Sequence, residues 1–134
     1  MAYVTSATTK GGRAGRAILD NGALALAMAL PKEMGGSGEG SNPEQMFALG
    51  YASCFNGAVL AVGNQKKFDV SRAVVNVEVG IGKDATSFAL KVDISLRIPG
   101  LEAAQIKDVL DAAHEICPYS KATRGNVPVT LTVL

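Results

Sequence analysis

Histidine occurs once in these 134 residues, cysteine twice and tryptophan not at all, and aromatic residues make up only 5%. Two cysteines, Cys54 and Cys117, are too few for the disulfide framework of a small secreted scaffold. A single histidine, His114, would have to serve any Ser-His or Cys-His acyl transfer, and no nucleophile-elbow pattern accompanies it. Charge of one sign is lacking too. With 13 Lys+Arg against 12 Asp+Glu the net charge is +1, without the basic face that tracks nucleic-acid phosphates. The one clustered pair, Lys66-Lys67, reads as a solvated helix end. Met1–Ser6 has neither the basic start nor the apolar stretch of a secretory signal, so a cytoplasmic protein is expected, where a disulfide is transient and chemical.

What is present is apolar. A hydrophobic fraction of 48% excludes a disordered chain, and the length predicts one domain, 1–134, burying roughly two-thirds of its unfolded surface. From Met46 to Gly63 there is no charge, and about 18 such residues can span a bilayer. Ser53, Asn56 and the glycines at 50, 57 and 63, with half-buried strands on either side, favour the central helix of a soluble fold.

Tyr3–Thr9 predicts a first strand, followed by the glycine-flanked arginine loop Lys10–Arg16. Ala17–Leu19 and Ala23–Leu30 flank Asp20-Asn21-Gly22, a hairpin signal. Leu24, Leu26, Met28 and Leu30 alternate with alanines 23, 25, 27 and 29, so neither face is polar. Either a second element of the chain or a partner subunit covers the alanine face. Met34–Ser41 is a glycine-rich connector without the Gly-Lys-Ser/Thr of a phosphate loop. Asn42-Pro43-Glu44 opens a helix to about Gly63, with Asn as cap, Pro in the first turn and an acid near the positive dipole end. Arg72–Ile81 and Ser87–Ile98 predict a second hairpin. Glu102–Cys117 predicts a second helix, buried through Ile106, Val109, Leu110, Ala113 and Ile116 and stopped by Pro118. A loop, Tyr119–Asn126, leads to a last strand, Val127–Leu134. The class is α+β with a largely antiparallel sheet and two main helices.

Each cysteine has a structural and a chemical reading. Free cysteine often behaves as a small buried hydrophobe. Yet Cys117 borders Pro118 and a loop, while Cys54 lies in a charge-free helix where burial raises its pKa; a thiolate there needs a cation from elsewhere, and Arg13 could supply one. His114 and Cys117, three apart on a helix, could share a metal with Cys54 as third ligand, but the spacing is that of no known finger, and a surface histidine is the simpler reading.

Three blocks carry a resemblance. Asn42–Phe55 (NPEQMFALGYASCF) resembles the first cysteine motif of the organic hydroperoxide resistance proteins. Cys117–Asn126 (CPYSKATRGN), preceded by His114, resembles their second, and Gly11–Arg16 (GGRAGR) their arginine loop. The resemblance implies the OsmC-like fold in an intertwined homodimer, with the site near the interface. It implies a thiol peroxidase with no metal and no bound cofactor: Cys54 the peroxidatic thiolate, Cys117 the resolving thiol, Arg13 holding the thiolate and Glu44 orienting Arg13. A dithiol of the lipoyl class, which the resemblance points to, would reopen the Cys54–Cys117 disulfide. Arg16 and Arg124 are expected to be surface or turn charges. If Phe47, Leu49, Tyr51, Phe55, Ala58 and Val59 line the approach to Cys54, bulky organic hydroperoxides are preferred over hydrogen peroxide. The competing readings are a non-catalytic redox-sensing or small-molecule-binding module and a structural dimer with inert cysteines.

Overall fold

A computed structural model describes residues 1–134 as six strands and three α-helices in the order β1-β2-β3-α1-β4-β5-α2-α3-β6. They fall into two units, Met1–Met46 and Phe47–Leu134.

In the first unit, β1 (Ala7–Lys10), β2 (Arg16–Leu19) and β3 (Ala25–Ala27) form an antiparallel sheet in that order. The first strand is shorter than Tyr3–Thr9, because pairing with β2 begins at Ala7 opposite Leu19. The hairpin turn is also longer than a two-residue Asn-Gly turn. Asn21 Oδ1 accepts from the Ala23 amide at 2.9 Å, and the Leu19 amide donates to the Leu24 carbonyl at 2.9 Å, closing a turn over the four residues 20–23. The alternation holds over 25–28, where Leu26 is half-buried and Met28 buried while Ala25 and Ala27 are exposed together with Ile18 of β2. Leu24, however, is 50% exposed, and Ala29 and Leu30 are both half-buried. The loop between β1 and β2 contains a single 3-10 turn, Gly12–Ala14. A Cβ at Gly15 would lie 1.8 Å from the Lys10 carbonyl oxygen, so only glycine lets the chain double back there and present Arg13.

Helix α1 (Pro43–Lys66) starts where the capping residues place it. Asn42 Oδ1 accepts from the Gln45 amide at 2.9 Å, and Gln45 Oε1 accepts from the Asn42 amide at 3.1 Å. The helix runs three residues past Gly63 and ends before Lys67, which takes a φ of 60°. Its length and hydropathy would suit a membrane span. But Tyr51, Phe55, Val59 and Val62 are buried in the core of the second unit, as in a soluble core helix.

In that unit β4 (Val74–Lys83) and β5 (Phe88–Arg97) form the expected hairpin, and β6 (Val129–Val133) pairs with β5 in parallel. The sheet is therefore mixed. A parallel neighbour needs a crossover, here α2 (Ala103–Ile116) and α3 (Pro118–Thr123). Glu102 and Gln105 cap α2 reciprocally. Pro118 both stops α2 and begins α3, at the first-turn position where its missing amide costs no hydrogen bond; the expected loop is thus partly helix. Ile106, Val109, Leu110 and Ala113 are buried as expected, whereas Ile116 is 55% exposed. Val92, Ile94 and Leu96 of β5, with Ile98, complete the core, each large side chain contributing about 1.5–3 kcal/mol by burial.

Candidate active site at the paired thiols

Cys54 stands midway along α1, and Cys117 occupies the joint where α2 ends and α3 begins. The crossover brings them together: Cys117 Sγ lies 3.6 Å from Cys54 Sγ, both as free thiols. Cys117 is fully buried in the core rather than bordering a loop, because α3 continues the packed structure past Pro118. Cys54 is half-buried and is the more accessible sulfur. Burial pushes the Cys54 thiol above its ordinary range; the Tyr119 backbone N–H, directed at the sulfur, opposes this, and Cys117 adds to it. A reactive thiolate at Cys54 therefore calls for a further positive group.

Aromatic rings gather around this joint. Tyr119 packs against Tyr51 and Phe47 with centroids 5.7 and 6.4 Å apart, and Tyr51 meets Phe47 and Phe55 edge-on at 6.0 and 6.4 Å. Gly50 makes room for them, since a Cβ there would lie 3.0 Å from the Tyr119 hydroxyl and 3.1 Å from its ring. Of the six apolar residues expected near the sulfur, Tyr51, Phe55, Ala58 and Val59 face the core, Phe47 is half-buried and Leu49 is 69% exposed. Tyr119, read from sequence only as a loop residue, packs on Phe47 and Tyr51 and remains 41% exposed.

The other two expected residues form a pair of their own. Arg13 Nη1 donates to Glu44 Oε2 at 2.9 Å and Nη2 to Oε1 at 2.7 Å, a bidentate fork between the arginine loop and the first turn of α1. Hydrogen bonding to Arg13 holds the Glu44 carboxyl below its usual range against the opposing effect of burial. The same fork raises the Arg13 guanidinium further. Only two of its five N–H donors are engaged by Glu44.

A family model described as OsmC-like protein matches residues 36–132. The chain belongs to the OsmC-like family. It is 45% identical over 133 residues to the organic hydroperoxide resistance protein of Xanthomonas axonopodis pv. citri, covering 98% of this chain and 94% of the relative. Among solved structures, the organic hydroperoxide resistance protein OsmC of Legionella pneumophila superposes with a TM-score of 0.94 at 40% identity, covering 99% and 98% of the two chains. OhrB of Bacillus subtilis superposes with a TM-score of 0.91 at 36% identity over 100% of both.

This OsmC-like chain also carries polar residues near Cys117 that the sequence reading did not assemble. His114 is a half-buried residue, not a plain surface one, and its Nδ1 lies 2.8 Å from Ser120 Oγ. Burial, then Arg124, lowers the imidazole pKa, against Glu115 and Asp111. Arg124 Nη2 donates to the His114 carbonyl at 2.6 Å, so this arginine ties the end of α3 back to α2. Tyr51 Oη lies 2.9 Å from Ser120 Oγ and 3.1 Å from Thr123 Oγ1. Ser120 and Thr123, three apart, share a face only because this segment is helical. Arg16 is exposed on β2, as expected of a surface charge.

Proposed function

We propose that the protein is a cysteine-based peroxidase that reduces organic hydroperoxides to alcohols and so takes part in organic hydroperoxide resistance. The observation that carries this reading is the thiol pair, 3.6 Å apart, with one sulfur accessible and the other buried behind it. The relatives named for organic hydroperoxide resistance support it.

The Cys54 thiolate attacks one peroxide oxygen of ROOH; the O–O bond breaks, the thiolate becomes a sulfenic acid, and RO⁻ leaves to be protonated to the alcohol. The Cys117 thiol then attacks the sulfenic sulfur, forming the Cys54–Cys117 disulfide and releasing water. The sulfurs must approach by about 1.5 Å to reach a bond of about 2.05 Å, a small movement at the joint of α2 and α3. An external dithiol, of which a lipoyl group is the class we favour, reduces the disulfide and becomes a disulfide itself. No bound metal or organic cofactor enters these steps.

On the strength of the arginine-loop motif, Arg13 is assigned to stabilise the thiolate and the leaving oxygen, with Glu44 orienting it through the fork. The working form is a cytoplasmic homodimer; the exposed apolar face of Ile18, Ala25 and Ala27 supports a second copy as its cover. The test is hydroperoxide consumption with dihydrolipoamide, wild type against Cys54→Ser. Turnover by the wild type that Cys54→Ser abolishes is the expected result; equal turnover by both overturns the assignment. The competing reading is a redox-sensing or ligand-binding module with a slow thiol, favoured by the raised Cys54 pKa, and it predicts one oxidation without dithiol-driven turnover.

A further inference from the structure

Three helices meet at a closed set of hydrogen bonds: Tyr51 from α1, His114 from α2, and Ser120 and Thr123 from α3. Tyr51 and Ser120 have no exposure and Thr123 only 3%, so these hydroxyls have no access to bulk water. Four contacts share four protons, and only one arrangement makes all of them at once. The Ser120 carbonyl can only accept, so Thr123 Oγ1 donates to it at 3.1 Å. Thr123 then has only lone pairs left for Tyr51, whose single proton points to Thr123. Tyr51 therefore accepts from Ser120, and Ser120, its proton used, accepts from His114 Nδ1–H. The neutral imidazole thus carries its proton on Nδ1 and leaves Nε2 bare.

We propose that this one-way relay is a positioning device for Cys117: it fixes the His114 tautomer and clamps α3 to both α1 and α2, holding the buried thiol at the joint against Cys54. The meaning of that approach rests on the peroxidase reading; the relay itself does not. The direction of each link follows from the Thr123 bond at the far end, so a change there reverses the others. The Arg124 bond to the His114 carbonyl fastens the far end of α3 to the same turn of α2. Glu115 and Asp111 on α2, and Arg124 after α3, are the charged groups acting on the ring; its protonation at Nε2 leaves the Nδ1–H donor, and hence the relay, in place.

Because His114 is the only histidine, ¹⁵N labelling reports its ring without assignment. The wild type is expected to show a protonated Nδ1 and a bare Nε2. Thr123→Val touches no atom of the imidazole but removes the acceptor of the Tyr51 proton. Tyr51 then donates to Ser120, Ser120 donates to Nδ1, and the ring proton moves to Nε2. Thr123→Ser keeps the wild-type form. In parallel, diamide-driven closure of the Cys54–Cys117 disulfide should slow about fivefold in Thr123→Val, one net hydrogen bond's worth, and recover in Thr123→Ser. A wild-type ring protonated at Nε2, a Thr123→Val ring unchanged, or undiminished closure overturns the proposal. Should Thr123→Val not fold, the wild-type ring and a Ser120→Ala variant, in which Nδ1 loses its acceptor, decide it in the same way. A wild type that forms no sulfenate with hydroperoxide overturns the peroxidase reading instead, and the ring and diamide measurements still decide the relay.

Discussion

Cys54 and Cys117 stand 63 residues apart in sequence and 3.6 Å apart at sulfur, and the two differ in access: Cys54 is half-buried, Cys117 wholly buried. In the peroxidase proposed above, that difference sets the order of the chemistry, with the oxidant meeting Cys54 first. Cys117→Ser is expected to reduce about one equivalent of hydroperoxide and then stall, its Cys54 moving up the oxidation ladder toward sulfinate. Mass spectrometry of the peroxide-treated variant reads this directly as added oxygen atoms. Sustained turnover by Cys117→Ser with the dithiol would remove Cys117 from the cycle.

The fork between Arg13 and Glu44 gives a pH dependence with a definite sign. Glu44 titrates lower in the folded protein than unfolded, so its contribution is present above the unfolded carboxyl range and is lost as pH falls through the lowered folded value. Arg13 is 37% exposed at its side chain, so solvent screening keeps that contribution modest. Urea midpoints of wild type and Glu44→Gln should differ at neutral pH and converge in acid; a difference that grows on acidification would contradict the fork. For chemistry, Arg13→Ala should raise the pH at which Cys54 alkylates, and Arg13→Lys should only partly restore it, because an ammonium lacks the planar fork.

Gly63→Ala should destabilise the fold although alanine is the better helix former. A Cβ at position 63 would lie 2.3 Å from Val70 Cγ1, and Val70 is buried. The overpacking costs about 1–3 kcal/mol against a helix-propensity gain of about 1, so the net sign is a loss. Thermal unfolding measures it, and an unchanged or higher Tm would show that Val70 yields easily.

Substrate preference should follow the apolar surface of Phe47 and Tyr119. A hydroperoxide that buries a chain there gains roughly 0.8 kcal/mol per methylene, whereas hydrogen peroxide gains none. We expect kcat/KM to rise from hydrogen peroxide through tert-butyl to cumene and long-chain fatty-acid hydroperoxides, and Tyr119→Ala to flatten the series. Equal values across the series in the wild type would leave these residues with a purely structural part.

The sequence makes some of these features plain and hides others for physical reasons. Local chemistry is legible: Asn42-Pro43-Glu44 announces the start of α1, and Pro118 marks the end of α2. The three motif blocks bring Cys54, Cys117, Arg13 and Glu44 to notice through resemblance, and the two pairs they form are seen in the structure. Strand direction is not encoded in alternation, so the parallel seating of β6 was out of reach. Six residues are too few to display a helical period, so α3 read as a loop and the shared face of Ser120 and Thr123 with it. His114 looked solvated for the same reason, its partner lying on an unrecognised helix.

The crossover that seats β6 beside β5 also sets a timetable. Cys54 emerges during synthesis 63 residues before Cys117, an interval of roughly 3–13 s at ordinary elongation rates. Throughout that time the first thiol has no partner, and non-local parallel pairing is among the slower steps of folding. Under the peroxidase reading, a nascent chain oxidised at Cys54 in this window would carry a sulfenate with no second thiol of its own chain to resolve it.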